Sequence, residues 1–83
     1  MAKFTKGRLD QIWDKGQTVR GRNPDLYRKD REGNVMYKHS YGKLSEMAWE
    51  VDHSKPVSKG GTDHLNNLQP MNPSANRSKG DNY

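Results

Sequence analysis

The 83-residue chain has no cysteine. That excludes a disulfide framework and any cysteine-ligated structural zinc. Long apolar runs are also missing; nothing approaches the roughly 20 residues that a membrane-spanning helix requires. The first nine residues lack the apolar centre of a secretory signal, so the cytoplasm is the expected compartment, with no membrane partner. Apolar residues are scarce, 29% against 30% charged, close to the composition of chains that stay unfolded. Two Trp, four Tyr and one Phe give a small core bulky side chains to pack. At this length one domain over residues 1–83 is expected, with little apolar surface to bury. No repeat, low-complexity tract or linker divides it.

What is present is charge of one sign. The net charge is +5, and a basic domain this small is expected to associate with polyanions, unless the charge only keeps it soluble. Leu9, Ile12 and Trp13 fall on one face of a short helix over residues 8–15, stopped by Gly16. That spacing assigns Trp13 to the core rather than to base stacking. Residues 17–22 read as a short strand centred on Val19, followed by a turn at Gly21, Asn23 and Pro24. Residues 26–29 and 35–37 read as a hairpin, with Gly33 or Asn34 taking a positive φ. Arg20, Arg22, Arg28, Lys29, Arg31 and Lys38 interleave there with Tyr27, Tyr37 and Tyr41. Two readings stand: a hairpin lying along a phosphate backbone, or a solvated charged hairpin whose tyrosines face the core. His39, a lone histidine, reads as structural or exposed.

Residues 49–80 organise the chain. Trp49-Glu50-Val51-Asp52-His53 alternates apolar and polar, the signal of a half-buried strand. A loop with Pro56, Gly60 and Gly61 follows. Residues 65–69 read as a second strand closed by Pro70. Asn72-Pro73 then suits a helix start, with about two turns to Lys79 and a stop at Gly80. Asp52, His53, Asn67 and Asn76 thus sit at element ends. Each alone would more readily be a turn former; their joint placement argues for a site.

Asp52-His53, Asn67 and Asn76, with a Pro-x-Ser-x-Gly-Gly loop, Asn-Leu-Gln-Pro and Asn-Arg-Ser-Lys-Gly-Asp around them, resemble the HNH endonuclease motif on its ββα-metal fold. The likeness covers about 35 residues. It implies an α+β domain with a ββα-metal (His-Me finger) core at about residues 48–81, preceded by a short helix and hairpin. It also implies a small bacterial or phage metal-dependent endonuclease that hydrolyses DNA with little sequence selection, leaving 5′-phosphate and 3′-hydroxyl ends. His53 would be the general base, since imidazole accepts protons near pH 7. Asn67 would hold the histidine loop or the ring itself. Asp52 and Asn76 would be the metal ligands. Their oxygens suit one divalent cation, Mg²⁺ in preference to Mn²⁺, and Asn76 makes this an HNN variant. Arg77, Lys79, Lys55 and Lys59 would hold flanking phosphates, with His64 a surface residue or an assistant there. The chain departs from relatives that carry two Cys-x-x-Cys pairs, so no structural zinc is expected. Ser54 and Ala48 also replace residues common in relatives. One such site cuts one strand, so double-strand cleavage would need a homodimer, two encounters or a larger phage or bacterial complex. The alternatives are a non-catalytic nucleic-acid-binding module on the same fold, or an RNase or toxin nuclease.

Overall fold

A computed structural model describes residues 4–73. The chain begins with helix α1, Lys6–Trp13, capped by Thr5, whose hydroxyl accepts from the Arg8 N–H at 3.1 Å. Such a cap satisfies a donor that the first turn leaves open. The helix opens two residues before the expected start, where Thr5 supplies the cap, and ends at Trp13, two residues before the expected Lys15. Three short strands follow: β1 (Gln17–Thr18), β2 (Tyr27–Lys29) and β3 (Val35–Tyr37), in an antiparallel sheet of order β1-β2-β3. The expected strand around Val19 shrinks to β1, because the chain turns at Gly21 with φ 80°. The expected β2–β3 hairpin forms, with Tyr27 opposite Tyr37 and Lys29 opposite Val35, and of the two candidates for a positive φ Gly33 takes it, at 89°.

A second, two-stranded sheet pairs β4 (Glu50–His53) with β5 (Leu68–Met71). Here the structure corrects the sequence reading. Residues 65–69 do not form one strand; Leu65–Asn67 is a 3₁₀ turn, and the strand runs from Leu68 through Pro70, which faces Val51. Proline is tolerated because both strands of a two-stranded sheet are edges, where a missing N–H need not break a ladder bond, and the Pro70 ring is buried. Asn67 therefore precedes the facing strand, and Leu68 is the residue opposite His53. The expected helix beyond Pro73, with Asn76, lies outside the described residues.

Ile12, Trp13, Met36, Trp49 and Leu68 form the core, with Phe4, Leu9, Tyr41, Val51 and Leu65 packed around it. Trp13 and Trp49 lie 5.2 Å apart between ring centroids, and Tyr41 lies 4.8 Å from Trp49. Each indole N–H is satisfied by a backbone carbonyl, Pro24 for Trp13 and Lys38 for Trp49, as buried indoles require. Burying each large side chain stabilises the fold by about 1.5–3 kcal/mol. Burial also pushes the Tyr41 hydroxyl pKa upward, with the Glu50 charge adding to it.

Cations hold the layers together. The Lys15 ammonium donates to the carbonyls of Leu65 (2.6 Å) and Leu68. Arg28 donates to the carbonyls of Pro24, Asp14 and Gly16. Lys38 pairs with Asp10 at 3.0 Å. Hydrogen bonds from Lys38 first, then Lys6, hold the Asp10 carboxyl below its usual pKa. The N-terminal helix and sheet thus form the surface on which the β4–β5 hairpin rests.

Candidate active site

The site forms where β4 ends. Successive residues on a strand point to opposite faces, so Asp52 shares a face with Gln69, and His53 shares one with Leu68. On the first face, the Gln69 amide nitrogen donates to Asp52 Oδ2 at 2.9 Å, orienting the carboxylate. On the second, His53 Nε2 lies 2.7 Å from Asp63 Oδ1. A carboxylate can only accept, so in the neutral ring this bond takes the proton on Nε2 and leaves a lone pair on Nδ1. The histidine side chain is 25% exposed and Asp63 is 69% exposed, so the pair meets solvent.

Asn67 clasps the intervening loop. Its side-chain oxygen accepts from the Lys55 N–H at 2.8 Å, and its amide donates to the carbonyls of Lys55 (3.2 Å) and Thr62 (2.8 Å). Its backbone carbonyl accepts from the Ser54 N–H at 2.9 Å. Of the two expected tasks, holding the loop or the ring, Asn67 performs the first. The loop carries Asp63, so Asn67 reaches His53 through it.

Gly61 is needed inside this loop. A Cβ added there would lie 1.8 Å from the Lys55 carbonyl oxygen and 2.9 Å from that of Pro56, far inside contact distance, and both obstacles are backbone. Gly61→Ala is expected to open the loop and to lower any activity that depends on it by at least about tenfold, up to the roughly hundredfold that follows a misplacement of about 1 Å at a reacting centre. Parallel activity assays and thermal melts would check it; full activity would show that the loop adapts.

Sequence reasoning missed three contributors. They are Asp63 in the loop, Gln69 on β5 and Arg8, which lies 55 residues away from the loop it supports. Arg8 donates to the Asp63 carbonyl at 3.0 Å, tying the helix N-terminus to the loop. A cavity of about 310 Å³ lined by Phe4, Thr5, Arg8 and Asp63 lies at this junction. Only Asp63 carried a readable signal, a carboxylate ten residues from the histidine across a glycine turn.

The other expected residues are less concentrated. Lys55 and Lys59 are exposed on the loop, Lys59 closing the 3₁₀ turn Val57–Lys59. His64 is exposed, and its carbonyl accepts from the Asn67 N–H at 2.8 Å. Asn76, Arg77 and Lys79 lie outside the described residues. Among the described residues no group of three or more His, Asp or Glu could hold a metal ion, and no helix is long and apolar enough to cross a membrane.

The α+β arrangement, in which a strand ending in Asp-His pairs with a strand preceded by an Asn clasp, is consistent with the ββα-metal fold. The family model described as HNH endonuclease matches residues 38–82, more than half of the 83 residues, and the chain belongs to the HNH endonuclease family. No curated protein and no solved structure matches it.

Proposed function

We propose that residues 1–83 act as one metal-dependent endonuclease domain that hydrolyses DNA phosphodiester bonds with a His53-activated water. The observation that carries this reading is the 2.7 Å His53–Asp63 bond, which in the neutral ring suits the tautomer that leaves Nδ1 free to accept a proton. Nδ1 would take a proton from the attacking water as its oxygen bonds to phosphorus, and the bond to the 3′-oxygen breaks. Asp63 would hold the ring in orientation and offset the positive charge it gains. Asn67 would keep Asp63 and the loop in place. Lys55 and Lys59 would hold phosphates flanking the cut.

The donor set fits a hard cation. Asp52 is half-buried, oriented by Gln69 and next to His53 in the chain, and its oxygen chemistry matches that of Asn76. Asp52 and Asn76 would hold one divalent ion, Mg²⁺ in preference to Mn²⁺, which when bound supplies Lewis-acid stabilisation of the departing oxygen. With so few protein ligands, phosphate and water would have to complete the shell. Asp52→Ala is expected to abolish Mg²⁺ binding measured by titration calorimetry while leaving the melting temperature within a few degrees of wild type. Unaltered Mg²⁺ affinity would remove Asp52 from the ligand set.

DNA is preferred as substrate over RNA on the resemblance of the motif. Competing labelled DNA and RNA in one reaction tests the choice: preferential loss of the DNA supports it, and faster loss of RNA makes the protein a ribonuclease on the same fold.

A further inference from the structure

We infer that the outer face of the three-stranded sheet is a second nucleic-acid contact, one that binds an unpaired strand. The inference rests on the nuclease reading only for its choice of polyanion. Charge is the first observation. Residues 38–82, the family-matched part, carry six Lys or Arg against five Asp or Glu, whereas residues 1–37 carry nine against five. Four of the five excess positive charges therefore lie before the matched segment. Affinity for a phosphate backbone comes chiefly from cations, and the nearly neutral catalytic part has few to spare.

The second observation is where the sheet places its rings. Register sets Tyr27, Tyr37, Lys29 and Gln17 on one face, while Met36 and Arg28 turn to the other, where Met36 is buried. On the outer face the Arg22 guanidinium lies 4.7 Å over the Tyr27 ring. Tyr27 and Tyr37 follow at 5.2 Å, and His39 meets Tyr37 edge-on at 5.4 Å. The result is a continuous run, Arg22–Tyr27–Tyr37–His39, with both ends exposed. Lys29 and Arg31 border a crevice shared with Gln69 of β5, whose side chain holds Asp52. A strand leaving the catalytic end would meet these two cations before reaching the rings.

The rings select the form of the partner. A duplex keeps its bases stacked inside and would present only phosphates to this face. An unpaired strand exposes base faces, and aromatic side chains flanked by cations are the usual platform for them. The contact of an exposed guanidinium with a ring is weak, so a base could take the place of Arg22 on Tyr27 and release the guanidinium to a phosphate. A cross-strand tyrosine pair also stabilises a sheet by itself, so the test must separate binding from folding.

Fluorescence anisotropy with labelled oligothymidine and a blunt duplex of equal length, in EDTA, measures binding without cleavage. Arg22→Gln and Tyr27→Leu are each expected to weaken oligothymidine binding about tenfold and duplex binding by less than about threefold. Arg22 is exposed and outside the core, so Arg22→Gln decides the matter if Tyr27→Leu fails to fold. Unchanged oligothymidine affinity, or equal loss on both ligands, would overturn the inference and leave the nuclease reading untouched. Selective loss in a protein that cuts nothing would sustain the inference and remove the nuclease reading.

Discussion

His53→Ala is expected to lower strand cleavage by about 10²–10⁴-fold, the usual contribution of general acid–base catalysis, with nucleic-acid binding changed by no more than a few fold. The asymmetry follows from the geometry. The ring is part-exposed at the end of β4, and its Nε2 bond goes to a largely exposed carboxylate. Removing it costs the fold little and leaves the cations in place. Asp63→Ala should produce a smaller loss, roughly tenfold, because the base remains but its tautomer and orientation are no longer held. Single-turnover cleavage rates beside binding measurements for both variants would check this. A His53→Ala protein that cuts at the wild-type rate would place the base elsewhere.

Asp30→Ala is expected to cause the largest loss of stability. Asp30 is 1% exposed. Its Oδ1 accepts from the Glu32 and Asn34 N–H groups at 2.9 Å each, and its Oδ2 accepts from the Asn72 N–H at 3.0 Å. Asn72 is itself buried and donates through its side chain to the carbonyls of Glu46 and Ala48. One carboxylate thus closes the β2–β3 hairpin and anchors the end of β5. Water can replace it at the hairpin tip but not at Asn72, and a buried donor left unsatisfied costs about 1–3 kcal/mol. With weakened hairpin closure the total is about 3–4 kcal/mol, a large part of the roughly 5–15 kcal/mol that holds a domain folded. At about 4–8 °C per kcal/mol for a domain this size, the melting temperature should fall by at least about 12 °C. A fall below about 4 °C would show that Asn72 finds another acceptor.

Asp30 also shows where the sequence stopped being readable. Beside Arg31 and Glu32 it looks like one more loop charge; its burial depends on residue 72 arriving 42 positions later, which no local pattern encodes. Arg8 is hidden in the same way, because its partner lies 55 residues away in a separate element. What was legible was periodic or paired locally: the Leu9, Ile12 and Trp13 stripe, the Gly33 hairpin and the β4 alternation. The Asp52-His53 and Asn67 positions are legible as a motif; the structure sets Asp52 and His53 on opposite faces at the end of β4, with Asn67 bonded to the loop that follows. The second strand starts three residues later than its pattern suggests, because Leu65–Asn67 forms a 3₁₀ turn, and ends two residues later, because an edge strand accommodates Pro70. Of the six cations of the hairpin region, Arg28 and Lys38 serve the fold, which leaves Arg20, Arg22, Lys29 and Arg31 as the candidates for phosphate.

The most direct measurement is cleavage of supercoiled plasmid by the wild-type protein in Mg²⁺, Mn²⁺, Zn²⁺ or EDTA, followed as nicked circles on a gel. Nicking that requires a divalent ion and is fastest with Mg²⁺ is the expected result. Plasmid bound but uncut with every ion would contradict it, and would make this member of the family a nucleic-acid-binding module.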